Sequence, residues 1–191
     1  LNGNIRKIAE RIAGEGYVAL APDPYYRLLP AKNCWTYDSV DGAIQAMQSL
    51  TDARFGADLD ATLAYLAGRA DTTSKVGVIG FCMGGTISFF AGAEYELGAA
   101  VTYYGGGIAQ GRFGLPGLAE MAPGLKTPWQ GNFGDLDQQI PTAEVEQLRE
   151  AAARSGVATE INRYAEADHG FHCNDRSAYH EASAKDSWPK T

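Results

Sequence analysis

Cysteine is scarce in this chain: Cys34, Cys82 and Cys173 are the only three among 191 residues. They are too few and too scattered for a disulfide framework, and none has the C-x-x-C spacing of a metal site. An odd count of free thiols fits a reducing compartment, so a cytoplasmic setting is expected, with no metal and no cofactor. Long apolar runs are missing as well. No stretch approaches the ~20 residues of a membrane helix, so a membrane partner is not expected. Positive charge is in deficit, with 16 Lys and Arg against 23 Asp and Glu and a net charge of −7. Such a chain repels a polyanion, which argues against nucleic acid. Internal repeats, low-complexity tracts and linkers are absent. What remains is an ordinary globular composition, 45% hydrophobic and 20% charged, of a length that suits one domain over 1–191, monomeric or weakly dimeric.

Helical and strand patterns alternate along the chain. Ile5, Ile8, Ala9 and Ile12 recur at helical spacing until Gly14 and Gly16. Tyr17 to Ala21 reads as a short strand closed by Pro22-Asp23-Pro24. Residues 25–38 form an irregular excursion rich in Tyr, Pro and Trp, in which Trp35 and Tyr37 either cap a pocket or fill the underside of a loop. Helices are expected over 39–50 and 55–68, the second with Leu59, Leu63 and Leu66 on one face. A buried strand over Val76 to Gly80 precedes a helix with Ile87, Phe90 and Ala91 inward. Strands follow at Ala99 to Tyr104, at Pro128 to Phe133 (weakened by Gln130, Gly131 and Asn132) and at Thr159 to Tyr164. A loop with one helical turn over 108–126, a helix over Pro141 to Ser155 and a terminal helix pattern over Glu181 to Trp188 complete the chain. The alternation predicts an α/β fold, a mostly parallel sheet with helices on both faces in three αβα layers. Ligands of such sheets bind beyond the carboxyl ends of the strands. The chain opens on Leu1 within a helix pattern and stops at Thr191 just past another. It therefore reads as cut at both ends, lacking N-terminal strands and part of a C-terminal helix, with a leader ahead of Leu1 left open.

The segment Gly80-Phe81-Cys82-Met83-Gly84-Gly85 lies between a strand and a helix. It has the form of the G-x-S-x-G elbow, in which the central residue occupies a strained strand-to-helix bend and is exposed at the sheet rim. The bend points the amide of Met83 toward a reacting carbonyl, a candidate oxyanion-hole donor. A thiol just ahead of a helix N-terminus is biased toward thiolate, the nucleophilic form. A buried cysteine in a glycine-rich turn is the plain alternative. A nucleophile needs a base, and His169, His172 and His180 all follow the last strand. His169, in Asp168-His169-Gly170-Phe171-His172, is the favoured candidate and His172 its competitor. An orienting acid is expected after the strand ending at Phe133, with Asp137 favoured over Asp135; Asp168 is a third choice. The order nucleophile, acid, histidine is that of the α/β-hydrolases. Phe81 and Tyr104, flanking the site, are candidate substrate contacts; Tyr103 and Tyr104 fit core or pocket equally.

On these residues the chain resembles the dienelactone hydrolase family. The resemblance runs from Leu1-Asn2-Gly3-Asn4-Ile5-Arg6 and Gly16-Tyr17-Val18-Ala19-Leu20-Ala21-Pro22-Asp23 through the Cys82 elbow and Tyr103-Tyr104-Gly105-Gly106. It continues through Gly134-x-x-Asp137-x-x-Ile140-Pro141 and Asp168-His169-Gly170-Phe171. The cysteine elbow is the most specific element, because most relatives of this fold carry serine there. The resemblance implies hydrolysis of an ester or enol-lactone by a Cys82, Asp137 and His169 triad through a thioester acyl-enzyme, on a small-molecule substrate. It also implies an acidic residue near the nucleophile and a second oxyanion donor, both ahead of Leu1. Arg27 matches an arginine that binds the substrate carboxylate in the best-known members. A second arginine and a serine of those members correspond here to Cys173 and Gly170, so a carboxylic ester or lactone is the safer substrate level. The rival reading is a binding or redox protein that kept the fold and lost the activity; a peptidase- or acyltransferase-like relative is a third.

Overall fold

The computed structural model describes residues 2–27, 46–47, 50–73 and 75–191. Two compact units are distinguished, Leu1–Ser74 and Lys75–Thr191. Cys34, Trp35, Tyr37 and most of the expected helix over 39–50 lie outside the described residues.

In the first unit, α1 spans Gly3–Gly14 and α2 spans Asp52–Ala67. Asn2 caps α1 by accepting a hydrogen bond from the Ile5 amide at 3.1 Å, which satisfies one of the donors every helix start leaves open. Ile8 is buried on the predicted face. Helix α2 begins three residues earlier than the periodicity predicts, where the Arg54 and Phe55 amides find the Thr51 carbonyl. Tyr17 to Ala21 does not form the expected strand. A strand is defined by its ladder, and no other strand exists among the described residues of this unit to pair with. Tyr17, Val18 and Leu20 are exposed.

The second unit holds a four-stranded parallel sheet in the order β1-β2-β3-β4, made of Gly77–Phe81, Ala99–Tyr103, Trp129–Gly134 and Thr159–Tyr164. Between the strands run α3 (Met83–Glu94), the short α4 (Leu118–Met121) with a 3-10 turn over Ala122–Gly124, and α5 (Thr142–Ala152). Helix α6 (Glu181–Ser187) continues into a 3-10 turn at Trp188–Lys190. Side chains alternate across the pleat. Ala100, Thr102 and Trp129 face α3, where Ser88 bonds the Val101 carbonyl at 2.8 Å and the Trp129 indole donates to Thr102 Oγ1 at 2.9 Å. Tyr103 and Gln130 face the other way, toward the chain end: the Tyr103 hydroxyl meets Thr191 Oγ1 and Gln130 donates to the Lys190 carbonyl, both at 2.8 Å. Helices therefore cover both faces, as the alternating pattern predicts.

One packing detail differs. The core residue of α3 is Phe89, fully buried and edge-on to Trp129 at 5.0 Å, while Ile87 and Phe90 are only half-buried. Small residues set this rotation. Gly85 lies so close to β2 that a Cβ would come within 2.6 Å of the Tyr103 carbonyl oxygen, so α3 presses its Gly85–Ser88–Phe89 side onto the sheet.

Candidate active site

Parallel strands all end at one rim, and β1 delivers Cys82 there. Its backbone has φ 56° and ψ −118°, a left-handed conformation that costs a non-glycine residue about 1–3 kcal/mol. The surroundings hold it. The Cys82 amide donates to the Tyr103 carbonyl at 3.0 Å and its carbonyl accepts from Thr86 at 3.1 Å. Gly80 lets the incoming strand touch the outgoing helix: a Cβ there would stand 1.8 Å from the Gly84 carbonyl oxygen.

β4 delivers the second half of the site through the loop that follows it. His169 Nε2 lies 3.0 Å from Cys82 Sγ, and His169 Nδ1 lies 2.7 Å from Asp137 Oδ2. Asp137 follows β3, and its side chain is only 1% exposed. Its second oxygen accepts the Gln139 amide at 2.8 Å, so both carboxylate oxygens are engaged and the imidazole is fixed from behind.

Electrostatics couple Cys82 and His169. Burial, the largest single influence on Cys82, opposes ionisation. The hydrogen bond and charge of His169, the Met83 amide and the charge of Arg176 together outweigh it and hold the thiol below its ordinary pKa. Burial likewise works against a charged His169, but the Asp137 and Cys82 contacts overcome it and raise the imidazole to about 9. Both shifts run in the direction of thiolate and imidazolium.

The other candidates are accounted for individually. Asp135, two residues before Asp137, turns outward into a bidentate pair with Arg163 at 2.7 and 2.8 Å. Asp168 accepts the His169 amide at 2.6 Å. His172 is packed among the rings of Phe81, Tyr103 and Trp188, at 5.4, 5.0 and 5.3 Å. His180 precedes α6 and bonds Ser183 Oγ at 2.7 Å. Tyr104 is buried beside His169, with ring centroids 5.2 Å apart, and Phe81 stacks on Tyr103 at 4.7 Å. Cys173 is buried. Arg27, in the first unit, is gripped by Asp58 at 2.7 and 3.0 Å. Two contributors escape sequence reading: the Gln139 amide, a backbone donor that any residue could supply, and Arg176, distant along its loop.

Among the described residues, no three or more His, Cys, Asp or Glu gather as for a metal ion. None of their helices is long and apolar enough to cross a membrane.

Known proteins resemble the chain along its whole length. A model of the dienelactone hydrolase family matches residues 1–191. A Synechocystis sp. protein assigned as a carboxymethylenebutenolidase is 35% identical over 196 residues, covering 100% of this chain and 78% of that protein. The carboxymethylenebutenolidase of Pseudomonas putida is 26% identical, covering 96% of this chain and 75% of its own. The crystal structure of a Klebsiella pneumoniae protein assigned as a dienelactone hydrolase superposes with a TM-score of 0.86 at 33% identity, over 99% of this chain and 79% of that one.

Proposed function

The chain belongs to the dienelactone hydrolase family, and from this premise we propose that it hydrolyses a carboxylic ester or lactone with the thiol of Cys82. The observation that carries the reading is the unbroken line Cys82 Sγ–His169 Nε2, 3.0 Å, and His169 Nδ1–Asp137 Oδ2, 2.7 Å, at a strained strand-to-helix bend. The Cys82 thiolate attacks the acyl carbon, and the carbonyl electron pair moves onto oxygen. The Met83 amide is one donor to that oxyanion, an interaction typically worth about 100- to 1000-fold in rate. The imidazolium gives its Nε2 proton to the departing alkoxide as the carbonyl re-forms, leaving a thioester on Cys82. His169, now neutral, takes a proton from water, which attacks the thioester. Collapse expels the thiolate and the acid product. Asp137 holds the ring in one orientation and favours its charged form throughout. Phe81 and Tyr104 stand as candidate substrate contacts because Phe81 precedes Cys82 and the Tyr104 ring lies beside His169.

Cys82→Ala and His169→Ala, assayed on p-nitrophenyl acetate and on a dienelactone, test the reading. Each is expected to lower kcat about 1000-fold or more. Undiminished turnover in either variant contradicts it.

A further inference from the structure

The hydrolytic scheme leaves the glycine-rich end of β2 unused. Tyr104 is followed by Gly105-Gly106-Gly107-Ile108, of which Gly105, Gly106 and Ile108 are buried and Gly107 is half-buried. The carbonyls of the last three are engaged. Gly106 accepts from Thr86 Oγ1 at 3.0 Å, and Gly107 and Ile108 accept from the Leu118 and Ala119 amides, both at 3.1 Å. The amides of the run are not: none of the four finds an acceptor among the described residues, although buried N–H groups are almost always paired. A trans peptide sets its N–H opposite its C=O. The Gly107 amide therefore points away from Thr86, and the Ile108 and Ala109 amides point away from α4. Gly107 is left-handed, with φ 79°, and a bend of this kind within a run of N–H groups makes an anion-binding concavity. The Ala109 amide, next in the run, already holds a carboxylate oxygen, Glu144 Oε2 at 3.2 Å.

A cation lies against the same glycines. A Cβ on Gly106 would stand 3.0 Å from Arg112 Nη1, and one on Gly107 would stand 2.8 Å from Arg112 Cγ. Arg112 is exposed. Its guanidinium lies 5.6 Å from the Phe113 ring and forms no ion pair among the described residues. We infer that the Gly105–Ile108 amides and the Arg112 guanidinium form a binding site for a phosphate group, either inorganic phosphate or a phosphate carried on an ester. A row of N–H donors beside a permanent charge offers more than the two oxygens of a carboxylate take up, and it suits the three or more acceptor oxygens of a phosphate. The net charge of −7 opposes any anion at long range, so binding rests on these local donors. The site lies at the rim where ligands of parallel sheets bind. Tyr104, just before the run, has its ring 5.2 Å from that of His169. Thr86, which holds Gly106, donates its own amide to the Cys82 carbonyl at 3.1 Å.

Titration calorimetry of the full chain with inorganic phosphate, near neutral pH and at low ionic strength, reads the site without requiring turnover. Saturable binding of one phosphate is expected. Arg112→Gln should weaken it about tenfold, and Arg112→Lys less, through loss of a charge-assisted pair; the side chain is exposed, so folding is spared. Glu144→Gln removes the carboxylate on the neighbouring amide and should tighten binding about threefold. No saturable binding, or equal binding by the parent chain and Arg112→Gln, overturns the inference. Kinetics distinguish the two sources of the group, and both outcomes keep the site. Phosphate that inhibits a phosphate-bearing ester competitively and leaves p-nitrophenyl acetate unaffected marks a substrate subsite; inhibition of neither, with binding retained, marks a site for free phosphate. Phosphate binding should persist in Cys82→Ala, so failure of the hydrolytic reading leaves this test intact.

Discussion

Two segments meet at the thiol, and they are built in opposite ways. The elbow over 80–85 is backbone packed on backbone, with a non-glycine residue forced into a left-handed conformation. The loop over 168–180 is a run of turns whose tightest neighbour at Gly170 is the far end of a flexible arginine. The elbow stores strain and cannot yield; the loop holds little strain and can. A nucleophile gains from the first design, which fixes its direction. In the proposed mechanism His169 accepts and returns a proton, for which it needs only an anchor, and Asp137 lies 2.7 Å from its Nδ1.

The comparison can be attacked first at the anchor. Asp137→Asn should lower kcat about 10,000-fold, because an amide can hold the wrong imidazole tautomer. Asp135→Asn, two residues away in a partly exposed pair with Arg163, should change stability by less than about 1 kcal/mol and leave kcat alone. Similar rates for the two variants would mean that the loop is not anchored where the distances place it. Glycine replacement is the next test. Gly80→Ala should cost more than about 4 kcal/mol or prevent folding, since no relaxation relieves a backbone contact of that kind. Gly170→Ala, at φ +89°, should cost only about 1–2 kcal/mol, with Arg176 swung aside. Urea denaturation separates the two, and equal losses would remove the distinction between a rigid and a yielding segment.

A smaller effect is the pH profile. The proposed mechanism needs Cys82 ionised and His169 protonated; the thiol is held below its ordinary pKa and the imidazole is raised to about 9. kcat/KM for a neutral ester should therefore fall as pH rises through about 9. The raised imidazole carries the matching stability sign. Its contribution is complete below the unfolded value of about 6.5 and is lost as pH passes about 9. A profile still rising at that pH would argue against a thiolate–imidazolium pair.

Much of this was legible in the residues, because apolar periodicity and glycine placement are local. The elbow, the four strands of the second unit and their helices follow from such signals. β3 carries Gln130, Gly131 and Asn132, poor strand formers, yet it forms a full ladder. Gln130 donates to Lys190 and accepts from Asn132, which accepts from Asn162. That chain of amides satisfies the buried polar groups through partners far apart in sequence, which propensity cannot register. The Phe89 face of α3 was hidden for a related reason: an almost wholly apolar helix has no face to read, and Gly85 against Tyr103 decides its rotation. Tyr17 to Ala21 has strand composition but finds no partner among the described residues. Between Asp135 and Asp137 the sequence favours the second by its place ahead of Ile140-Pro141; Arg163 on the neighbouring strand and His169 beyond it separate them in the structure.

The central claim, that Cys82 Sγ carries the acyl group, has a direct measurement. Acid quenching during turnover of p-nitrophenyl acetate, followed by peptide mass analysis, should find one acetyl group on the peptide containing Cys82, absent in Cys82→Ala and persisting longer in His169→Ala if that variant acylates at all. An acetyl group on another residue of an active enzyme, or steady hydrolysis by Cys82→Ala, would contradict it.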